Sequence, residues 1–306
     1  MSEVNIIYKP HKGQPSLHYT GPEGRIWMHN KERAGAYNIG MSYYSSNGRN
    51  TNAIYVIEPR CVLEQDYNTN FVKKFDKIFT WAVKGFDDEV SDKIIELNHP
   101  SCRNHLSVEQ LKKNHVPWEK RKDEIIFIAN NKSSRHPSQL YTLRVLLADK
   151  LSKHFKVKWY GQMPLKRPYY HGKLPNKNTV LSQARFTICT ENSYAPKWSH
   201  NYLTEKMPEA WLSGAVPIYM GCYNIDDFGF AKESYIDLRP IVAKEGKKHK
   251  VDFNKLVDTI KSFNKQKFDT MTEAVFENMA KPKGLFYHIS SDRVYKKMLE
   301  SAQGNK

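Results

Sequence analysis

Along the 306-residue chain, short apolar runs bounded by turn or polar residues alternate with stretches whose apolar positions recur at helical spacing. In the first part VNIIYK (4–9), AIYVIEP (53–59) and KIFTWA (77–82) predict strands, with NTNFVKKF (68–75) a short helix between the last two. A second series follows in IIFIAN (125–130), VKWYG (157–161), FTICT (186–190), VPIYM (216–220) and SYIDL (234–238). The clearest helical pattern covers 137–155, where Leu140, Leu143, Leu147, Leu151 and Phe155 share one face and Pro137 sits at the start. Another helix is predicted in TEKMPEAWLSG (204–214), confined at its start by Pro208 and closed by Gly214, with Met207, Ala210 and Trp211 on the buried stripe. The final SDRVYKKMLESAQGNK predicts one more.

Repetition of strand, helix and strand implies a parallel sheet with helices on its faces, hence the α/β class. The polar segment NHVPWEKRKDE (114–124) precedes the second strand series and divides the chain into lobes at 1–120 and 121–285, with a helical segment at 286–306. Open parallel sheets take ligands at the carboxyl ends of their strands, so the expected site lies in a cleft between the lobes. Loops of the first lobe, HYTGPEGRIWMHN (18–30) and MSYYSSNGRNTN (41–52), offer the Tyr, Trp, Asn and Ser side chains that stack on and hydrogen-bond to sugars.

Composition narrows the function classes. No run approaches the roughly 18 apolar residues of a membrane span, and the N-terminal residues lack a secretory apolar core, so the expected location is cytoplasmic. Cys61, Cys102, Cys189 and Cys222 are scattered without a CxxC pair, which argues against a zinc site or a disulfide framework. Lys plus Arg number 48 against 32 acids, net +16, and favour an anionic partner: nucleic acid, an anionic membrane surface met peripherally, or a phosphorylated small molecule. Nucleic-acid binding would need basic and aromatic residues interleaved on one face. Here the aromatics concentrate in strands and polar loops, and the charge fits a diffuse surface plus a diphosphate site.

The densest group of polar candidates is ENSYAPKWSHNYLTEK (191–206), the loop leaving strand FTICT and entering the next helix. Free N–H groups of that helix's first turn, beside the Lys206 ammonium, predict an anion site suited to a diphosphate. Neighbouring residues at a helix start diverge by about a hundred degrees, so Glu205 can face elsewhere and accept hydrogen bonds from a ribose diol. Acids at a helix start also serve the helix dipole, which leaves the pair ambiguous on its own.

FTICTEN followed by YLTEKMPEAWLSGAVPIYMG resembles the donor-binding signature of the family 10 glycosyltransferases, the α-1,3/α-1,4-fucosyltransferases. The ordered match runs over residues 180–238, with similarity reaching back through IIFIANN and forward to FYHISSDRVYKKML, and in the first lobe at AIYVIEPR and FVKKFDKIFTW. The absence of an anchor segment points to the bacterial or viral type of that family. The resemblance implies two Rossmann-like lobes of the GT-B type, GDP-fucose as donor, a glycan acceptor and inversion at the transferred sugar. It implies that Asn192, Tyr202, Glu205 and Lys206 line the nucleotide-sugar site, with Glu205 on the ribose and Lys206 on the diphosphate. Arg144 resembles the family arginine that neutralises the diphosphate, and Arg135, in the loop after IIFIAN, is a competitor.

Inverting transfer also needs a base on the acceptor side, opposite the departing diphosphate. Glu58, at the carboxyl end of AIYVIEPR, resembles the family's base, with Glu64 and Asp66 as nearby alternates. No DxD pair stands at a strand end, so no obligatory metal or other cofactor is implied. The chain departs from the family in the longer SYAPKWSH interval and in Thr190, where an aromatic residue is frequent.

Overall fold

A computed structural model of the chain describes residues 19–21, 24–26, 28–29, 39–44, 50–98, 107–245, 248–281, 297 and 300. The strand predicted at 4–9 lies outside these residues, as does the C-terminal helix apart from Lys297 and Glu300. Segments expected as first-lobe loops contain strands: β1 (Tyr19–Gly21) pairs with β2 (Gly24–Ile26), and β3 (Met28–His29) enters the main sheet. That sheet continues with β4 (Ile39–Tyr44), β5 (Asn50–Val56), β6 (Lys77–Thr80) and β7 (Ile94–Glu96), in the order β3-β4-β5-β6-β7. It is mixed: β3, β4 and β5 pair antiparallel, and only β5, β6 and β7 run parallel. Ala53, Ile54, Tyr55 and Val56 are all buried, as expected of a strand covered on both faces. The short helix α1 (Thr69–Val72) lies between β5 and β6, its first turn capped by the Asn68 side chain.

The second lobe begins earlier than the polar segment suggests. Helix α2 (Val108–Asn114) opens with a capping box from Ser107 and Gln110. Trp118 belongs to the second lobe's core, edge-on to Phe186 at 5.9 Å and beneath the Arg185 guanidinium at 4.2 Å. A boundary at residue 120 therefore cuts through packing that the second sheet needs.

That sheet is built from β8 (Lys122–Ile128), α3 (Tyr141–Leu151), β9 (Lys156–Tyr160), α4 (Lys177–Gln183), β10 (Ala184–Thr190), α5 (Lys206–Leu212), β11 (Val216–Met220) and β12 (Ile236–Asp237). Its order is β12-β11-β10-β8-β9 and every pair is parallel. The winding reverses between β8 and β10, and the crevice of such a sheet opens at the carboxyl ends of the two strands that flank the reversal. A hairpin of β13 (Val242–Glu245) and β14 (Lys248–Val251) follows, then α6 (Phe253–Lys261) and α7 (Lys265–Ala280).

Leu143, Leu147 and Leu151 of helix α3, with Leu140 just before it, are buried as the spacing predicts, but the helix starts at Tyr141 and not at Pro137. Residues before it are taken by another partner: Gln139 forms a bridge with Ser193, and its Oε1 accepts from Thr142 N at 3.1 Å. Gly214 closes α5 in the left-handed region, φ +71°, and a Cβ there would lie 2.2 Å from Arg121 Nη2. Arg121 is buried and donates to the carbonyls of Val116 at 2.8 Å, Ala184 at 3.0 Å and Ser213 at 3.1 Å, tying the edges of three segments together. Gly214→Ala is expected to destabilise the fold by about 3 kcal/mol, from backbone strain and displacement of Arg121 together. The check is a denaturant melt whose midpoint falls while its slope stays that of the native chain.

Candidate active site

The loops that follow β8 and β10 are laced to each other, which fixes the crevice floor. Leu140 N donates to Asn192 O at 3.0 Å and Tyr194 N to Ser138 O at 2.8 Å. Behind them three fully buried hydroxyls form a chain: Ser138 Oγ and Ser199 Oγ each lie 2.8 Å from Ser193 Oγ, and His136 Nδ1 lies 2.8 Å from Ser138 Oγ. The loop 191–205 is thus held by interior bonds and presents its far end, Thr204 to Lys206, at the crevice.

There Glu191 is 0% exposed and every partner it has is short. Its Oε1 accepts from Thr204 N at 2.8 Å; its Oε2 accepts from Thr204 Oγ1 at 2.6 Å and from Lys206 Nζ at 3.0 Å. The ammonium's other hydrogen bonds go to Thr204 Oγ1 at 2.8 Å and Glu205 Oε1 at 3.4 Å. Lys206 and Glu205 therefore converge instead of diverging as their adjacency suggested, because the lysine stem folds back onto the buried acid. Burial pulls the Lys206 pKa down, but the Glu191 and Glu205 carboxylates outweigh it and hold the ammonium above the ordinary lysine range. The expected anion site at the helix start is weaker than predicted: α5 spans 7 residues, and its third, Pro208, has no N–H to offer.

Arg144 is buried, 4% exposed, where an ordinary helix arginine would point to water. Its Nη2 donates to Thr190 O at 2.8 Å, Glu191 O at 2.8 Å and Asn192 Oδ1 at 2.9 Å, and its Nε to Thr190 Oγ1 at 3.1 Å. Its guanidinium lies over the Tyr141 ring at 5.1 Å. It thus brings positive charge to the carboxyl end of β10 and fixes Asn192 there. Arg135 is exposed and takes no part in this network.

The first lobe contributes Glu58, half-buried just beyond β5. The backbone around it is pinned: Tyr67 OH donates to Glu58 O at 3.0 Å and Trp81 Nε1 to Ile57 O at 2.7 Å. Burial raises the Glu58 pKa, opposed by the nearby Lys206 and Lys132 ammoniums and reinforced by Glu205 and Glu191, so the carboxyl lies near the second lobe's charged cluster. Of the alternates, Glu64 is exposed and Asp66 is buried at 3%. Cys61 also reaches across, its Sγ donating to Asn192 O at 3.3 Å, and burial pushes its pKa up to about 12.

Tyr202 does not line an open crevice as expected. It is 1% exposed, stacked on Trp81 with ring centroids 4.3 Å apart, and packs within the first lobe's core. Asn201, with φ 62°, makes the turn that sends it there and hydrogen-bonds Glu96 at the end of β7. Among the described residues no group of three or more His, Cys, Asp or Glu side chains could hold a metal ion, and no helix is long and apolar enough to cross a membrane. Asp226, next to Asp227, is engaged by Arg239.

Residues 118–251 match the family model described as glycosyltransferase family 10 (fucosyltransferase), C-terminal part. That segment, less than half of the chain, is similar to the glycosyltransferase family 10 domain. A Helicobacter pylori protein described as alpha-(1,3)-fucosyltransferase FucT is 28% identical over 103 residues, which cover 34% of this chain and 18% of that relative's length. A solved alpha1,3-fucosyltransferase with GDP-fucose superposes with a TM-score of 0.50 at 19% identity, covering 83% of this chain and 75% of that one. Anabaena Alr3699/HepE in complex with UDP and glucose gives 0.52 at 8% identity, covering 81% and 70%. The fold is accordingly the two-lobe GT-B arrangement.

Arg144, Asn192, Tyr202, Glu205 and Lys206 all lie inside the residues matched by the family model, whereas Glu58 lies outside them. Glu191 is the functional candidate that the sequence left unassigned. The available signal was its place directly after the last residue of an apolar strand, where a carboxylate needs a cation to accompany it inward. As assembled, the crevice gathers the Lys206 and Arg144 cations on the second lobe, and the Glu58 carboxyl lies near them on the first.

Proposed function

We propose that the chain is an inverting glycosyltransferase that moves fucose from GDP-fucose to a hydroxyl of a glycan. The observation that carries this reading is the segment similar to the family 10 domain, whose Lys206 ammonium lies near the first-lobe carboxyl of Glu58. The donor's diphosphate lies at Lys206 and Arg144, and Glu205, 38% exposed at its side chain, takes the ribose diol. As the glycosidic bond to phosphate breaks, these cations stabilise the departing charge, and Glu58 removes the acceptor hydroxyl's proton on the opposite face. The GDP-fucose complex of the solved neighbour and the description of the Helicobacter pylori relative support the donor. The cytoplasmic location expected from the sequence, with peripheral contact to anionic lipid, belongs to the same reading.

A different nucleotide sugar is the second reading, favoured by Thr190 and the SYAPKWSH interval, both near where the sugar would lie. Hydrolysis of a panel of nucleotide sugars, followed as released nucleoside diphosphate, tests class and donor together. GDP released from GDP-fucose, with UDP-sugars inert, is the expected outcome. Preference for another sugar nucleotide selects the second reading, and no release from any member of the panel removes the assignment.

A further inference from the structure

We propose that Glu191 is a positioning residue that holds the Lys206 ammonium in the donor crevice, and that a bound diphosphate displaces Glu205 from that ammonium and leaves Glu191 in place. The inference rests on the proposed donor chemistry for its ligand. An ammonium has three N–H groups, and Lys206 directs hydrogen bonds to three acceptors: Glu191, Thr204 and Glu205. A phosphate oxygen can reach Nζ only if one of them yields.

The two carboxylates hold unequal claims. Glu191 is 0% exposed and lies 3.0 Å from Nζ, while the Glu205 side chain is 38% exposed and 3.4 Å away. The Glu191 backbone is fixed on both sides, its N–H donating to Met220 O at 2.8 Å and its carbonyl accepting from Arg144 Nη2 at 2.8 Å. The side chain is enclosed as well. A Cβ added to Gly221 would lie 2.1 Å from Glu191 Cγ and 2.4 Å from Glu191 Cβ, so the strand end after β11 is bare where the carboxylate stem passes. Releasing Lys206 from Glu191 would strand a buried charge, whereas releasing it from Glu205 exposes a carboxylate that already touches water. The yielding partner is therefore Glu205.

The test compares the full-length wild type with Glu191→Gln and Thr204→Val, using lysine labelled with ¹³C at Cε, GDP as the probe ligand and steady-state transfer. Lys206 is assigned from Lys206→Met. In Glu191→Gln the Lys206 titration midpoint should fall toward the ordinary lysine range, GDP should bind as tightly as to wild type or up to several-fold tighter, and kcat should drop about tenfold. The split arises because a competing negative charge is lost along with the lysine's orientation. A purely structural glutamate would lower binding and rate in parallel and leave the lysine's titration where it was. An unchanged Lys206 midpoint, or kcat within twofold of wild type, overturns the proposal. Thr204→Val removes the hydroxyl between acid and ammonium and should lower the Lys206 midpoint and reduce kcat about threefold while GDP affinity stays that of wild type; it decides the matter if Glu191→Gln does not fold. If wild type binds no GDP, the donor reading fails, and the Lys206 titration in Glu191→Gln still passes or rejects Glu191 as its holder.

Discussion

Lys206→Met is expected to lower transfer by two to three decades and to weaken the fold at the same time. Losing one charge-assisted contact to a departing diphosphate removes about 3–4 kcal/mol of transition-state stabilisation, which sets the rate effect. The stability effect has a separate origin. Glu191 would remain buried with Thr204 as its remaining donor, and an uncompensated buried charge costs about 3–5 kcal/mol, toward the lower end here because Lys206 keeps 19% of its side-chain surface. The two losses can be pulled apart by adding Glu191→Gln to Lys206→Met. With no buried charge left behind, the double variant should regain most of the lost stability in a denaturant melt while its rate stays two decades down. A single variant within threefold of the wild-type rate would be incompatible with Lys206 at the diphosphate.

Glu58→Gln should keep GDP affinity and lose a factor of about a hundred or more in transfer. Glutamine preserves size and hydrogen bonding but cannot take the acceptor's proton. Burial, acting against the Lys206 and Lys132 ammoniums, raises the Glu58 pKa, and a base with a raised pKa accepts a proton more readily once it is ionised. The sign of the pH dependence follows. The reactive form is the carboxylate, so wild-type kcat/KM should rise with pH through a midpoint above the ordinary glutamate value, and that limb should vanish in Glu58→Gln. Loss of rate and GDP affinity together would make Glu58 a donor or packing residue. Loss of neither would hand the role to the alternates, of which Glu64 is the exposed one.

The strands of the second lobe were legible because buried parallel strands write themselves as continuous apolar runs, and IIFIAN, VKWYG, FTICT, VPIYM and SYIDL each coincide with one. The start of α3 was not, since Gln139 spends its backbone on Ser193, a partner far along the chain that local pattern does not contain. The same limit explains Lys206 and Glu205. Adjacent positions at a helix start predict divergent side chains, but the buried acid at 191 draws the lysine back across its neighbour. Tyr202 was visible as part of a motif and invisible as a packing residue, because its stacking partner, Trp81, sits in the other lobe. Trp118 likewise reads as part of a polar linker until Phe186 and Arg185 close around it.

The stacking of Tyr202 on Trp81 bears on how the molecule is made. One lobe's interior is completed by a ring that the other lobe's loop supplies, so the division of the fold into two sheets is not a division into two folding units. A nascent chain, emerging from its N-terminus, presents the first lobe with an unfilled hollow beside Trp81 until synthesis has passed Tyr202. Through that interval the early lobe is expected to stay short of its final packing, which the ring completes only when the loop after β10 arrives with it.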